Sequence, residues 1–425
     1  MNKTLKHSYV YITGSLLQAL IPFLVIPVLT RTTSQSEFGL VMLLISIGTV
    51  LSFGFSLGMP AVLSRELIFD ENRSVHLKKL SAGYQTLMIW SAVIIYVTTL
   101  FINFAPAIKI LFLGLVLALS LAGVQIKLSV LRAEFKSIQF AFLAIASTAI
   151  PLIAITILPN FLNVDIYRTY SGITLLVLLI TNISNLFPKF GLTFLKETKD
   201  LVLIGYPIIF HGIAISLFQY GDKIAGYLGI GAELVSQVVI ISLFMTAPML
   251  LLSTINNAWL PASLESFKKS SGNGFSYLHK TSQNLTLFIT LDCLILIILS
   301  KPLISIFVPD NYNLTEITRA IVIGISFTPL YVLYLQNTHL LTMNKKFKSL
   351  GKITPISALI QFFFTFGLIS VIGLNAPAYG LLIAISIQVT LTTISAKSFS
   401  KLNKQPLYLT GLLSVFSFIY LNLFF

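Results

Sequence analysis

Apolar runs of about 18 to 25 residues follow one another along the chain, separated by short polar segments. They fall roughly at 8–30, 38–63, 81–103, 108–131, 138–158 and 170–187, then at 201–221, 233–258, 283–308, 315–342, 353–373 and 376–396. Each is long enough to cross a hydrocarbon core about 30 Å thick as a helix. Helix is forced, because lipid offers no partner to a backbone N–H or C=O. The pattern predicts an all-α polytopic membrane protein with about twelve transmembrane helices. A last apolar run at 407–425 suits either a thirteenth membrane helix or one lying along the interface.

Composition fits. Of the 425 residues 56% are hydrophobic and only 10% charged, whereas a soluble domain carries about 25% charged residues to keep its surface wet. The net charge of +14 would point to nucleic acid in a soluble chain. Here it is a topology signal, because 22 of the 28 Lys and Arg fall in one alternating set of loops and ends and only Arg31, Lys109, Arg168, Lys223, Lys301 and Arg319 in the other. Short basic loops stay on the cytoplasmic side, so the amino terminus is expected inside, and no nucleic-acid partner is needed. Lys3 and Lys6 precede an apolar run too long for a signal-peptide core, which predicts a retained first helix.

No loop exceeds about twenty residues, so the spans themselves must hold the function. The charged segment 188–200 reads as a cytoplasmic linker between an N-terminal six-helix bundle at 1–187 and a C-terminal one at 201–396. A basic segment with the optional extra helix follows at 397–425. The single Cys293 excludes a disulfide framework and a multi-cysteine metal site. No GxxxxGK[ST], HExxH or GxSxG pattern occurs, which argues against a nucleotide motor and against an enzyme. Transport is the expected function, driven by an ion gradient, the membrane potential or the substrate's own gradient.

Charges at membrane depth are the candidate chemistry. Asp292 lies mid-span, as a neutral acid locking two helices or as a site whose protonation or cation occupancy drives transport. His211 is a helix contact or a titrating group. Asp222 and Lys223 form an opposite pair at the expected end of the seventh span, marking either the lipid boundary or a site. Arg31 closes the first span on the side poor in cations, Arg65 the second, and Lys127 with Arg132 the fourth. Snorkelling and topology bias account for the last three as readily as function does. If the four converge on a cavity, its ligand is an anion, and phosphate is the group that Arg grips with two parallel hydrogen bonds.

Several segments carry a family resemblance: LIPFLVIPVLTR at 20–31 with SEFGL at 36–40, GMPAVLSREL at 58–67, YGDKIAGYLGIGAE at 220–233, VPDNY at 308–312 and GLNAPAYGLLIAIS at 373–386. In order and spacing the chain resembles Wzx-type polysaccharide flippases of the multidrug/oligosaccharidyl-lipid/polysaccharide exporter superfamily. The resemblance implies two six-helix bundles around a central cavity. It implies alternating access that moves an undecaprenyl-diphosphate-linked oligosaccharide to the periplasmic leaflet of a bacterial inner membrane. Arg31, Arg65, Asp222 and Lys223 fall on positions where such flippases commonly carry these charges, which makes Arg31 and Lys223 candidate diphosphate or saccharide contacts, while His211 is unusual for the family. With the charges read above, Arg31, Arg65, Lys127, Arg132 and Lys223 are the candidate substrate contacts and Asp222, His211 and Asp292 the candidate coupling residues. The cofactor expectation is none beyond a coupling proton or sodium ion. Lipid-linked oligosaccharide and membrane lipids are the implied partners, with a polysaccharide polymerase and a chain-length regulator as further candidates. A multidrug or toxin extruder of the same superfamily is the nearest alternative. A membrane polymerase or glycosyltransferase is the more distant one.

Overall fold

The computed structural model describes residues 3–69, 71–102, 104–162, 165–183, 186, 194–269, 271–344, 346–396 and 404–424. All regular structure among them is helical. In chain order the first half holds α1 (Lys3–Thr32), α2 (Gln35–Phe55), α3 (Met59–Phe69), α4 (Glu71–Phe101), α5 (Pro106–Ala133), α6 (Ser137–Leu162) and α7 (Ile166–Thr181). The second half holds α8 (Phe194–Ile230), α9 (Ala232–Lys269), α10 (Ser271–Phe307), α11 (Leu314–Ile325), α12 (Thr328–Met343), α13 (Phe347–Ile372), α14 (Ala376–Ala396) and α15 (Gln405–Phe424).

Ten stretches of described residues are long and apolar enough to cross a membrane. One of them, Lys348–Ala396, has 49 residues, about 74 Å of helix against a core of about 30 Å. It therefore folds back, at Gly373 (φ +59°), as the hairpin of α13 and α14. The expected all-α multi-pass membrane architecture is what the chain adopts.

Local chemistry explains the ends. Ser34 caps α2: its hydroxyl accepts from Glu37 N (3.3 Å), and the Glu37 carboxylate accepts from Ser34 N (3.2 Å). This capping box satisfies two otherwise orphaned donors. Between α8 and α9 a single residue, Gly231, makes the turn at φ +88°, a conformation that costs glycine little.

Four boundaries differ from the sequence reading. The span expected at 38–63 breaks at Ser56–Leu57–Gly58 into α2 and α3, with Leu57 at φ +51° and Gly58 at φ +69°. The span expected at 315–342 breaks at 326–327 into α11 and α12. Donors at both breaks stay on nearby carbonyls: Ser56 N bonds Ser52 O (2.8 Å), Leu57 N bonds Gly54 O (3.1 Å), Ser326 N bonds Val322 O (3.3 Å) and Phe327 N bonds Gly324 O (3.4 Å). The seventh span does not end at 221, because α8 runs to Ile230. Of the segment read as a linker, 188–193 lie outside the described residues, and from Phe194 onward the chain is helix.

The helices form two compact units, Met1–Ser216 and Leu217–Phe425, with the boundary inside α8. In unit 1, α1 runs parallel to α6, with Gly14 against Ala141 and Gln18 Nε2 donating to Thr148 Oγ1 (3.0 Å). Likewise α2 runs parallel to α5, with Gly48 against Leu117 and Gln125 Nε2 donating to Ser52 Oγ (3.2 Å). Unit 2 repeats the scheme. The outer half of α8 runs along α13, where Gln361 Nε2 donates to Phe218 O (3.2 Å) and Gly229 meets Ile369, and α9 packs on α11 with Met245 against Gly324. Spans one and five, and two and four, thus pair in both halves. The fourth span of each half also ends alike: Lys136 N donates to Leu131 O (2.9 Å) after α5, and Lys346 N to Leu341 O (2.8 Å) after α12. In the first of these caps Phe135 takes φ +55°, a strain of about 1–3 kcal/mol for a residue with a Cβ.

Lipid gives helices no hydrophobic reason to associate, so close packing and interhelical hydrogen bonds do the work. Within unit 2, α12 is keyed to three neighbours at one level. Gln336 Oε1 accepts from Ser282 Oγ on α10 (2.9 Å), Asn337 Nδ2 donates to Thr393 Oγ1 on α14 (2.8 Å), and His339 Nε2 bonds Asn256 Oδ1 on α9 (2.8 Å). The run whose role stayed open, 407–425, forms α15, which packs on α10, α11 and α12. Ser417 midway along it bonds Ser326 (2.5 Å) at the α11–α12 break. That break lies mid-span, so α15 passes through the bilayer depth beside it.

At the α2–α3 break, Gly58 meets Gly205 of α8 backbone to backbone. A Cβ on Gly58 would stand 2.5 Å from Gly205 O, and one on Gly205 would stand 2.6 Å from Leu57 O. Gly58→Ala and Gly205→Ala are each expected to destabilise unit 1 by about 2 kcal/mol or more. Thermal unfolding of the purified protein checks this, with Gly351→Ala, where a Cβ meets nothing within 4 Å, as the neutral control.

Candidate functional site

The extension of α8 changes the status of Asp222 and Lys223. They lie nine and eight residues before Gly231, about 12 to 14 Å along the helix from the turn. Ser242, eleven residues beyond the turn on α9, reaches the same depth from the other side of the hairpin. The pair therefore sits well inside the span, not at a lipid boundary, and the two residues are 3% and 5% exposed respectively.

Its contacts are mutually satisfying. Lys223 Nζ donates to Asp222 Oδ1 (2.9 Å) and to Gln219 O (3.0 Å), and lies 5.5 Å from the Tyr220 ring centroid. The other carboxylate oxygen, Oδ2, accepts from Ser242 Oγ. Two charges that would each be costly to bury alone make a neutral, hydrogen-bonded unit tying α8 to α9. An arriving anion would have to compete with Asp222 for Lys223. A proton or cation on Asp222 would free the lysine.

The other candidates are placed as follows. Arg31 stands exposed in the last turn of α1, with Nη1 donating to Pro27 O (2.8 Å). Arg65 lies on α3, and its side chain is outside the described residues. Lys127 is half-buried on α5, and Arg132 is exposed at that helix's end with its guanidinium 4.9 Å from the Phe140 ring centroid. Tyr11, near the start of α1, donates to Arg132 O (3.5 Å). Twenty residues of helix, about 30 Å, separate Tyr11 from Arg31. Arg31 and Arg132 are therefore at opposite ends of unit 1. His211 is half-buried on α8, and its Nδ1 has no partner among the described residues. Asp292 is half-buried on α10 in unit 2, with Oδ2 likewise unpartnered. Among the candidates, Asp222 and Lys223 are brought into direct contact.

Sequence reasoning missed Ser242, an isolated hydroxyl in an apolar run whose only signal was its distance from Gly231. It also missed Asp165, which joins the two cations at the start of α5 and α7. Lys109 Nζ pairs with Asp165 Oδ2, and Arg168 Nε lies 3.6 Å from the same oxygen while its Nη2 donates to Thr99 O (2.9 Å). Lys109, Arg168 and Lys223, three of the cations on the sparsely basic side, thus each have an acid beside them.

A family model described as polysaccharide biosynthesis protein matches residues 4–267. The chain belongs to that family. The polysaccharide biosynthesis protein match includes unit 1, the Asp222–Lys223 pair and Ser242, and stops short of Asp292. No curated protein matches the sequence. Among solved structures, the lipid II flippase MurJ in an inward closed conformation is similar at TM-score 0.68 and 18% identity, over 99% of this chain and 93% of that one. An inward-facing multidrug resistance MATE family transporter of the MOP superfamily is similar at TM-score 0.61 and 12% identity, over 91% and 99%. The Vibrio cholerae MATE transporter VcmN follows at TM-score 0.57 and 13% identity, over 95% and 98%. At such identities the likeness establishes a shared fold.

Lys223→Met should destabilise the protein by about 3–5 kcal/mol, because it leaves a buried carboxylate without its counterion. Asp222→Asn in the same chain should recover most of that loss. A double-mutant cycle on thermal unfolding in nanodiscs measures it. Additive losses would mean the pair is not coupled.

Proposed function

We propose that the chain is a flippase, a transporter and not an enzyme, that carries a lipid-linked oligosaccharide between leaflets by alternating access. The reading is supported above all by one observation: a member of a polysaccharide biosynthesis family matches a lipid flippase fold over 99% of its length. The physical problem suits such a protein. A diphosphate with several sugars cannot enter hydrocarbon unaided, so it needs a wet, partly cationic route beside which a lipid tail can stay in the bilayer.

On this reading the substrate is an undecaprenyl-diphosphate-linked repeat unit, the membrane is the bacterial inner membrane and the amino terminus is cytoplasmic. Arg31, Arg65, Lys127, Arg132 and Lys223 are the proposed phosphate or sugar contacts, engaged at different stages of the cycle since Arg31 and Arg132 stand far apart. Asp222, His211 and Asp292 are the proposed coupling groups for a proton or sodium ion. Polymerase and chain-length regulator are proposed downstream partners. The extruder alternative draws on the MATE likeness. It would favour unpaired acids for organic cations, and Asp222 is already neutralised by Lys223.

Deleting the gene should abolish surface polysaccharide and leave lipid-linked repeat units on the cytoplasmic leaflet. Normal polysaccharide, with no redundant flippase present, would refute the reading. In a leaflet-resolved vesicle assay, Arg31→Ala should slow flipping about tenfold or more, and Arg31→Lys should restore it only in part, because a point charge does not reproduce a planar fork. Full activity of Arg31→Ala at normal expression removes Arg31 from the route.

A further inference from the structure

Positive-inside bias explains why lysines gather where α5 ends and α6 begins. It does not explain an acid at their centre. Glu134 caps α5, and Lys78 of α4 pairs with its Oε1 (2.5 Å) while Lys136 pairs with its Oε2 (2.8 Å). Lys127 is half-buried two turns before Glu134 on the same helix. Two lysines on the carboxylate and a third close by along α5 make three cations to one anion, and the two positive charges in excess match one phosphate group. The backbone holds the arrangement, since the αL residue Phe135 lets Lys136 N close on Leu131 O (2.9 Å). Approach is open: the Lys78 and Lys136 side chains are 40% and 51% exposed, against 21% for Glu134. Arg132 is turned away onto Phe140.

We propose that Lys78, Lys127 and Lys136 form a subsite for a phosphate-bearing lipid headgroup, and that Glu134 is the internal anion this headgroup displaces. Burial works against ionisation of Glu134, and the hydrogen bonds from Lys136 and Lys78 outweigh it. Its carboxyl is therefore held below the ordinary value of 4.5, charged at neutral pH and a standing competitor for the lysines. The cap after α12 offers a built-in comparison, because Asn344 stands there in place of the acid and Lys346 Nζ is instead donated to Ser395 O (2.9 Å). The inference deepens the flippase reading by locating a first hold on phosphate, and rests on it only for which lipid is carried.

The test is binding, not transport, so the two can fail separately. The full chain in phosphatidylcholine nanodiscs is titrated with sodium pyrophosphate, and the rise in thermal midpoint reports occupancy. Wild type should respond. Glu134→Gln should bind about threefold or more tightly, and the Lys78→Gln, Lys136→Gln double variant should lose the response. Opposite signs from an acid and its paired lysines are not what a merely structural ion pair would give. If Glu134→Gln does not fold, Lys136→Gln alone decides: weaker binding supports the subsite and unchanged binding overturns it. A second arm adds phosphatidylglycerol to the nanodisc. A smaller pyrophosphate response there supports the site with bulk phospholipid as its occupant, and an undiminished one supports it with a diphosphate headgroup. No response from wild type in phosphatidylcholine, or a weaker response from Glu134→Gln, overturns the proposal.

Discussion

Hydrocarbon supplies no hydrogen bonds, and that constraint governs both the helices and the places where they stop being plain helices. At the breaks the amides of Ser56, Leu57, Ser326 and Phe327 stay on carbonyls three or four residues back, so the chain turns while these polar groups remain paired. The same constraint acts on side chains. Gln336, Asn337 and His339 would each be a liability in a lone helix, yet together they fasten α12 to three neighbours, because every bond made inside the bilayer removes a group that water cannot reach.

Charge is handled by two different rules. In the lysine-rich set of loops and ends cations are many and mostly exposed where described. Elsewhere cations are few, and Lys109, Arg168 and Lys223 are each set against an aspartate. Asp222 and Lys223 carry this furthest, since the pair is almost wholly enclosed and tied to a second helix by Ser242. Such a unit is stable only while whole, which makes it sensitive to anything that binds one half, whether a proton on the carboxylate or an anion at the amine.

Much of this was legible in the residues. Helical class and the multi-pass architecture follow from hydropathy and from the forced pairing of backbone groups. The segments that carried the family resemblance are largely devices for ending helices: Glu37 of SEFGL completes a capping box, Gly231 of YGDKIAGYLGIGAE makes a one-residue turn, and Gly373 of GLNAPAYG folds a hairpin. What could not be read was depth. Two adjacent charges at 222 and 223 looked like the end of a span, because hydropathy scores them as a boundary whether or not they neutralise each other. The breaks were hidden for the converse reason, Ser56–Leu57–Gly58 and Ser326–Phe327 being apolar enough to pass as continuous helix. Partners distant in the chain, such as Ser242 for Asp222, leave no local trace.

The caps at the ends of α5 and α12 share one main-chain bond and differ in charge. Both carry a bond from a leucine carbonyl to a lysine amide five residues on, while the residue riding on the cap is glutamate in one and asparagine in the other. A corner built this way is a socket: the same main-chain bond closes it whether a charged or a neutral side chain stands there, so the scaffold leaves the electrical character of each half open.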